Sequence, residues 1–279
     1  MQHFLRCIVL LFLYLGVPLC AQGQINNAEV GARAVSLGGS AVTLSDVWAL
    51  SNNPAGMAAS KPLELGAYAH NRFSLKELTT VGLLAVYPTQ RFGTIGIDVQ
   101  RFGGELYNEQ RLGIGFAHQL GVVRLGLKAD LLQVRVQEWG SRKAVAVSMG
   151  IQSDLLPKLS FGAHIYNLNQ AKLAEFEDER VPTVMKLGLS YQAATKVLLV
   201  LEAEKELEYP VAVKGGLEYR LLPALGLRTG FNTGTRAGTA GVDVKFKQFQ
   251  VAYALGAQHQ LGISNYLSVG YQLKKEPQP

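Results

Sequence analysis

The stretch Arg111-Leu-Gly-Ile-Gly-Phe-Ala-His-Gln119 shows the pattern that decides the fold of this chain. Leu112, Ile114 and Phe116 alternate with small or polar residues, and a period of two places them on one face of a β-strand. A soluble sandwich would keep its large apolar side chains inside and place lysine, glutamate and threonine outside. Here the second face is mostly glycine and alanine, as in a barrel with lipid outside and a narrow interior. The stretch therefore predicts a transmembrane strand.

The same alternation recurs along most of the chain and predicts fourteen strands, with twelve as the alternative. Their lengths are close to the roughly 9–11 residues that a tilted membrane strand needs, and bacterial barrels have an even number of strands. The predicted strands are 63–72, 79–88, 92–102, 110–120, 122–136, 143–154, 158–168, 182–193, 195–206, 210–222, 223–233, 237–248, 249–260 and 264–274. The predicted fold class is all-β: a closed antiparallel transmembrane β-barrel over residues 61–274, followed by a polar tail at 275–279.

The connections between the predicted strands differ in length. Tight ones are expected near 120–121, 156–158, 222–223 and 247–248, and the longest and most charged runs from Asn169 to Arg180. Tight turns of such barrels lie on the periplasmic side and longer loops lie outside.

The N-terminal residues have the features of a secretory signal peptide. Arg6 supplies positive charge, Ile8 to Leu15 is an unbroken apolar run, and cleavage after Ala21 would remove residues 1–21. The apolar run is too short to cross a bilayer as a helix, and no later stretch reaches about 18 consecutive apolar residues. We therefore expect a protein of the outer membrane of a Gram-negative bacterium. Lipidation of Cys20 is the alternative to cleavage after Ala21.

The composition supports a membrane barrel and excludes several other classes. Hydrophobic residues make up 48% of the chain and charged residues only 17%, whereas about a quarter of a soluble domain is charged. The net charge of +6 is spread along the chain without a dense Lys/Arg cluster, so nucleic acid is not expected as a partner. Cys7 and Cys20 are the only cysteines, and both precede the barrel. No disulfide and no cysteine metal ligand are therefore expected in it.

Residues 22–60 lack the alternation of the barrel. Two glycine-containing blocks stand out, Gly31-Ala-Arg-Ala-Val-Ser-Leu-Gly-Gly-Ser40 and Ser51-Asn-Asn-Pro-Ala-Gly-Met57. They hold too few large apolar side chains to form a core, so we predict that this segment folds as a hatch inside the barrel lumen. Between the blocks, Val42–Leu50 suits a short strand or helix that Pro54 ends.

The order of these blocks resembles one family of outer-membrane proteins. Gly-Ala-Arg-Ala is followed by Leu-Gly-Gly-Ser, by Asp46, and by Asn-Pro-Ala-Gly just before the first strand. This arrangement resembles the FadL-like outer-membrane β-barrel superfamily, and within it the PorV/PorQ-type members common in Bacteroidota. The specific match covers Gly31–Ser60, and the rest of the chain agrees in pattern alone. The resemblance implies a fourteen-stranded barrel with an N-terminal hatch in the lumen. The chain departs from FadL transporters in its short loops, and it lacks the usual aromatic residue at its end.

The resemblance implies two non-enzymatic functions. PorV/PorQ-type barrels are components or accessories of the type IX secretion system, where they dock or shuttle secreted proteins. The partners would then be secretion-machinery proteins and outer-membrane lipid. FadL-like barrels instead form channels for the uptake of hydrophobic small molecules, with the hatch as a gate. The short loops make the secretion role the main expectation and the channel the alternative.

No catalytic or metal site is expected. The histidines of the barrel lie in separate predicted strands, and no pair has the spacing of metal ligands. Ser160 and His164 share one strand face, but about 13 Å would separate them at 3.3 Å per residue, which is too far for a hydrogen bond. We therefore predict that the chain is not an enzyme and needs no cofactor.

The candidate functional residues lie in the predicted hatch. We expect Asn52 and Asn53 to bond backbone groups in a turn, Pro54 to fix one φ angle, and Gly56 to allow a close backbone approach. Together they would anchor the hatch to the barrel wall where the chain enters the first strand, near Leu63. The full set of predicted hatch or gating residues is Gly38, Gly39, Asp46, Asn52, Asn53, Pro54 and Gly56.

Charged residues are expected to neutralise one another in the lumen, because an unpaired charge in a narrow interior is costly. Asp46 should cap a turn of the hatch, with Ser45 as the other candidate cap, or pair with a lumen arginine. The arginines considered are Arg124, Arg220 and Arg228. The other predicted lumen charges are Asp98, Lys128, Asp130, Lys214, Glu218, Asp243 and Lys245.

Overall fold

The structure, a computed structural model, describes residues 29–89, 91–173, 180–259 and 261–273. The predicted signal peptide at 1–21, Cys20 and the polar tail at 275–279 lie outside this range.

Fourteen β-strands account for most of the described chain. Both ends of every strand lie within three residues of the sequence prediction, so fourteen is confirmed and the alternative of twelve is wrong. The strands are β1 Glu64–Asn71, β2 Thr79–Thr89, β3 Gly93–Gly103, β4 Tyr107–Leu120, β5 Val123–Val136, β6 Gly140–Leu156, β7 Leu159–Tyr166, β8 Val184–Ala194, β9 Val197–Glu206, β10 Ala212–Leu222, β11 Leu225–Asn232, β12 Ala237–Phe246, β13 Phe249–Gln258 and β14 Gly262–Gln272.

The strands form one closed barrel. Each strand pairs antiparallel with its neighbours in sequence, and β1 pairs with β14 to close the ring. In the quoted stretch, Leu112, Ile114 and Phe116 are exposed on the outside, while Arg111 and Gly113 are buried on the inside. The predicted apolar exterior and small or polar interior are therefore confirmed for this strand.

The two ends of the barrel have different connections. Every even-numbered strand up to β12 is followed by a turn of two or three residues, such as Gly121–Val122 and Pro157–Lys158. The loops after odd-numbered strands include the long ones at 72–78 and 167–183. We call these the tight-turn end and the long-loop end. The chain enters β1 and leaves β14 at the tight-turn end, which is the periplasmic end in barrels of this kind.

Short helices occur before β1 and in one loop. The two α-helices are α1 Ala32–Ser36 and α2 Ala49–Asn52, and the 3-10 helices are Pro54–Ala59, Arg72–Ser74 and Lys76–Leu78. No helix in the described part of the chain is long and apolar enough to span a membrane. The short strand or helix predicted over Val42–Leu50 is wrong for residues 42–48, which form turns and bends. The helix α2 begins only at Ala49 and stops at Asn52, before Pro54 as predicted, and Asn53 is extended with φ −158° and ψ 103°.

Candidate functional site: the N-terminal segment and the barrel wall

Residues 29–63, here called the N-terminal segment, run from the first described residue to the start of β1. Most of them are buried, including Leu37, Leu50, Asn53 and Met57. Their partners come from nearly all sides of the barrel. For example, the backbone N–H of Ala32 donates to Ser268 Oγ of β14 at 3.1 Å. The segment therefore packs against the inward faces of the strands.

Inward-facing glycines of the wall lie where the segment approaches most closely. They occur as directly opposed pairs on neighbouring strands: Gly96 with Gly115, Gly126 with Gly150, Gly162 with Gly188, and Gly216 with Gly230. A methyl group at any of these positions would collide with the segment. At Gly126 it would lie 2.3 Å from the backbone N of Ala55, and at Gly216 2.7 Å from Leu37 Cα. Glycine weakens a strand, and a close approach by another backbone is one reason to keep it.

The turn from Asn52 to Gly56 is attached to the wall through Asn53. The Asn53 side-chain N–H donates to Val42 O at 2.6 Å within the segment, and lies 3.3 Å from both Ile151 O of β6 and Ala163 O of β7. The contact is thus on β6 and β7, not near Leu63 as the sequence analysis expected. Chain order suggested the nearest strand, but the segment crosses the barrel before it enters β1.

The other residues of this turn shape it locally. Asn52 accepts from Val30 N and donates to Val30 O, both at 2.9 Å, and so holds the start of the segment. Pro54 begins the 3-10 helix, where its fixed φ is compatible and its missing N–H costs nothing. A methyl group at Gly56 would lie 2.6 Å from Leu44 O and 3.1 Å from Gln152 Nε2 of the wall. Gly56 thus packs tightly against both the segment and β6.

Gly38 and Gly39 form the turn after α1. Their φ angles of +73° and +87° lie in the left-handed region that favours glycine. A methyl group at Gly38 would also lie 2.2 Å from Phe231 O of β11. The Gly38 N–H donates to Thr239 Oγ1 of β12 at 3.0 Å, so this turn also contacts the wall.

Asp46 pairs with an arginine that the sequence analysis did not consider. Its partner is Arg33 of the same segment, whose Nη1 lies 3.1 Å from Asp46 Oδ2. The predicted partners Arg124, Arg220 and Arg228 do not pair with Asp46. Arg33 Nε also contacts Glu218 Oε2 of β10 at 2.8 Å, which joins the segment to the wall. Asp46 Oδ1 in addition accepts from Trp48 N at 3.2 Å, the turn-capping role that was expected for it. Arg33 is buried, which lowers its pKa, but the two carboxylates outweigh this and raise the pKa above its ordinary value.

Glu218 connects this ion pair to further charges of the wall. Arg228 Nε lies 2.7 Å from Glu218 Oε2, Arg220 Nη1 lies 2.8 Å from Asp243 Oδ2, and Arg228 also contacts Asp243. With Arg33 and Asp46, the cluster holds three carboxylates and three guanidinium groups. The predicted neutralisation of Glu218 and Asp243 is therefore present.

A second cluster holds Glu29. Its carboxylate contacts the ammonium groups of Lys186, at 3.3 Å, and of Lys214. Burial raises the pKa of Glu29, but the two lysines outweigh burial and lower the pKa to about 2. Beside it, Glu202 Oε2 accepts the backbone N–H groups of Ala41 and Val42, both at 2.8 Å. One wall carboxylate thus binds two backbone groups of the segment.

The Glu29 cluster also contains the one group of described residues whose spacing suits a metal ion. Carboxylate oxygens of Glu29, Glu202 and Glu204 lie within 4.8 Å of one another. Lys214 Nζ, however, is 2.6 Å from Glu204 Oε2 and also contacts Glu29. Each of the three carboxylates contacts an ammonium group of Lys186 or Lys214, so the cluster is an ion-pair network.

The charged groups of a third cluster all come from the wall, and Ser51 Oγ of the segment lies 3.5 Å from Asp98 Oδ2. Lys128 Nζ lies 2.9 Å from Asp98 Oδ1 and 2.8 Å from Asp130 Oδ1, and Arg111 Nε is 3.8–3.9 Å from the same two carboxylates. The predicted pairing of these lumen charges is present. Lys245 differs, since its side chain is exposed and no ion pair with a described residue is found for it.

Apolar side chains pack together at the long-loop end of the lumen. The loop 167–183 places Leu173 and Val181 against Tyr166 and Leu132 of the wall. Cavities of about 10 Å³ beside Arg111 and about 70 Å³ beside Trp48 are both far smaller than the roughly 300–1,000 Å³ of a ligand pocket. Neither of these two cavities could hold a ligand of ordinary size.

The serine and histidine considered for catalysis are not joined. Ser160 Oγ donates to Asp154 Oδ1 at 2.7 Å, and His164 Nδ1 is buried without a hydrogen-bond partner among the described residues. This arrangement lacks the serine–histidine contact that a nucleophile needs.

The outside of the barrel has the properties of a lipid-facing surface. Its exposed side chains are mostly large and apolar, such as Leu83 and Ile114. Outward aromatic residues collect near the tight-turn end, as in the girdles of membrane barrels. They are Tyr87, Phe116, Phe161, Tyr191, Tyr219, Phe246, Phe249 and Tyr271. The class defined by fold and site is a closed fourteen-stranded antiparallel barrel with a lipid-facing exterior, and the N-terminal segment packs against the inward faces of its strands.

Three solved structures share the barrel fold. The toluene transporter TodX of Pseudomonas putida superposes with a TM-score of 0.69 at 13% identity, covering 90% of this chain and 100% of that one. A FadL homologue of Pseudomonas aeruginosa gives 0.61 at 11% identity, covering 91% and 99%. The outer membrane protein Omp33 of Acinetobacter baumannii gives 0.52 at 8% identity, covering 77% and 100%.

These comparisons show the fold. The chain has the fold of FadL-family outer-membrane barrels, which is the coarser part of the resemblance inferred from its sequence. No protein-family model and no curated protein matches the sequence.

The sequence analysis missed Glu29, Arg33 and Glu202 as contacts between segment and wall. Arg33 lies within the quoted Gly31–Ser40 block, and a lone charge among small residues was a usable signal. The paired wall glycines were also visible as repeated glycine on the inward face of the strands. The residues of the segment that pack against these glycines could not be predicted. Alternation shows which face of a strand a residue occupies, but not which residue of another element lies against it.

Proposed function

We propose that this chain is a gated channel of the outer membrane for hydrophobic small molecules, with the N-terminal segment as its gate. One observation carries the proposal: the N-terminal segment contacts the inward faces of strands on nearly all sides of the barrel. A barrel of about eight strands is filled by its own side chains, so one of fourteen strands needs additional filling to be shut. The filling here is held by hydrogen bonds and ion pairs that can break and form again.

The predicted hatch residues have distinct roles in this proposal. Asn53 and Gly56 hold the segment against β6, while the Gly38–Gly39 turn holds it against β11 and β12. Asn52 and Pro54 keep the turn between these contacts in shape, and Asp46 orients Arg33 toward Glu218. Opening would require these contacts to break together, because they lie on different sides of one short segment.

The proposed substrate class rests on the fold. The similar structures include a toluene transporter and a FadL homologue, and the apolar exterior suits a membrane in which hydrophobic solutes collect. We expect small uncharged apolar molecules to be passed, and toluene is a suitable probe.

The proposed location is the outer membrane of a Gram-negative bacterium. A closed barrel satisfies all backbone groups between its strands, which a membrane requires. The aromatic residues near the tight-turn end and the predicted signal peptide at 1–21 support the same location.

A second candidate is the PorV/PorQ-type docking or accessory role in type IX secretion. The small volumes of the two inward cavities and the short turns favour it, since a docking barrel needs no open path. The interaction with secretion-machinery proteins would then use exposed loops such as 207–211 and 233–236.

A deletion strain distinguishes the two candidates. Cells without the gene, and cells complemented with the wild type, are assayed for uptake of labelled toluene and for secretion of a cargo protein. The channel proposal predicts reduced uptake with intact secretion, restored by complementation. Intact uptake with lost secretion would replace the channel by the docking role, and no change in either would contradict both.

A further inference from the structure

A groove lies on the outer side of the barrel wall, and the N-terminal segment packs on the inner side of the same wall through Trp48 and Tyr68. Its volume is about 800 Å³, and it extends over six neighbouring strands from β14 through β1 to β5. Two rows of outward-facing cross-strand partners line it, and the inward-facing row Tyr68, Gly82, Gln100 and Arg111 lies between them. The lower row is apolar throughout: Val269, Ala67, Leu83, Val99, Leu112 and Leu131.

The upper row, one step nearer the long-loop end, changes from apolar to polar along its length. Leu267, Ala69 and Val81 begin it, and Arg101, Gln110 and Gln133 continue it in direct register, with Lys143 of β6 as the next partner. The small side chains of Ala67 and Ala69 lie between leucine and valine neighbours and leave a depression in the wall.

The charges on the outward faces of the strands are all positive. The described outward positions carry no aspartate or glutamate, and their charged residues are Arg101, Arg135, Lys143 and Lys205. Three of these lie on β3, β5 and β6, at the polar end of the groove, and Arg135 is two residues beyond Gln133. All three are exposed. Lys205 is on β9, where its Nζ donates to Tyr209 O.

We propose that this groove binds a phosphorylated lipid of the outer leaflet, with an acyl chain on the apolar rows and phosphate groups on Arg101, Arg135 and Lys143. The long-loop end is the extracellular end of such barrels, which places these cations at the level of the outer headgroups. Exposed cations at a membrane surface attract anionic lipid, and arginine forms paired hydrogen bonds with phosphate. In a Gram-negative outer membrane the phosphorylated lipid of this leaflet is lipid A.

The expected size of the effect follows from the number of cations. Each surface lysine or arginine contributes about fivefold to the binding of anionic lipid, so removal of three should weaken binding about a hundredfold. Binding should also require the shape of the groove. A large side chain at Ala69 would fill the depression without changing the charge, and so would test the shape alone.

Native mass spectrometry of the purified protein tests the proposal, with lipid A, the same lipid A without its phosphates, and phosphatidylglycerol as probes. The triple variant Arg101→Gln, Arg135→Gln, Lys143→Gln should bind lipid A about a hundredfold more weakly. Lys205→Gln is the matched control, since it removes an outward cation at the same end of the barrel, and it should bind as the wild type does. Ala69→Phe should also weaken lipid A binding.

Each outcome bears on the proposal. It stands if the wild type prefers lipid A with phosphates and the triple variant loses that preference while remaining a heat-modifiable barrel. It is overturned if the dephosphorylated lipid binds equally well, if phosphatidylglycerol binds as tightly as lipid A, or if Lys205→Gln loses as much affinity as the triple variant. None of these results depends on whether the lumen transports solutes.

Discussion

At the scale of single residues, Asn53 has the most concentrated set of contacts between the segment and the wall. Its amide satisfies a carbonyl of the segment and lies near carbonyls of β6 and β7, and the side chain is fully buried. Asparagine can do this because its two N–H donors and one acceptor serve several backbone groups at once. The sequence marked Asn53 as a turn residue, but its wall contacts depend on a fold that local pattern does not reveal.

Asn53→Ala should loosen the segment without disassembling the barrel. The buried Ala55 N–H would lose its side-chain acceptor, and Val42 O would keep only its bond from Gln152 Nε2. An unsatisfied buried group of this kind costs about 1–3 kcal/mol. We expect greater sensitivity of cells to large antibiotics and higher conductance in planar bilayers. Asn232→Ala is the control, because that amide serves only the exposed β11–β12 turn. Equal permeability of the two variants would show that Asn53 does not hold the gate.

From the lowered pKa of Glu29 we predict that the gate opens in acid. That pKa is about 2, below the ordinary value of 4.5, because Lys186 and Lys214 outweigh the effect of burial. A carboxylate with a lowered pKa stabilises the docked segment fully above its unperturbed pKa, and the stabilisation is lost as pH falls through the lowered one. Conductance should therefore be constant from neutral pH to about 5 and rise between about 4.5 and 2.

The variant Glu29→Gln isolates this contribution. It should conduct more than the wild type at neutral pH and should lack the part of the acid response that Glu29 causes. If the wild type and the Glu29→Gln variant show the same dependence of conductance on pH, groups other than Glu29 cause the acid response.

At the scale of elements, the strands were predictable because the residue types along each strand reflect the environment of its two faces. Lipid outside and a crowded interior select opposite residue types at alternate positions, so Leu112, Ile114 and Phe116 identify their strand without any tertiary information. The largest differences were at the start of β4 and β6, which extend three residues beyond the predicted starts at the long-loop end. There the chain leaves the membrane region, and the alternation loses its cause.

The paired glycines of the strands make a prediction about packing. In Gly126→Ala the added methyl group would lie 2.3 Å from Ala55 N and from Pro54 C, so the segment would have to move. Overpacking of this kind costs about 1–3 kcal/mol. We expect increased permeability with an unchanged heat-modifiable barrel on gels.

Gly238→Ala is the matched control for Gly126→Ala. It makes the same substitution inside a strand, at a glycine where no atom lies within 4 Å of the added methyl group. If the two variants are equally permeable, the inward glycines do not fit the segment to the wall.

At the scale of the whole molecule, the lumen charges show what sequence reasoning cannot reach. That Glu218 and Asp243 would find partners followed from the cost of an unpaired charge in the interior. The identity of the partners did not follow from that cost. Asp46 pairs with Arg33, while Arg220 and Arg228 bind Asp243, because side chains from distant strands converge inside a closed barrel. The same geometry brings Glu202 of β9 to the backbone of Ala41 and Val42.

The central claim is that the N-terminal segment closes the barrel, and single-channel recording tests it most directly. The wild type is compared in planar bilayers with a variant that lacks residues 29–60, after gel heat-modifiability has shown that both are assembled. The wild type should be closed for most of the recording, and the deletion variant should conduct steadily, because fourteen strands enclose more space than their side chains fill. An assembled deletion variant that conducts no more than the wild type would contradict the account.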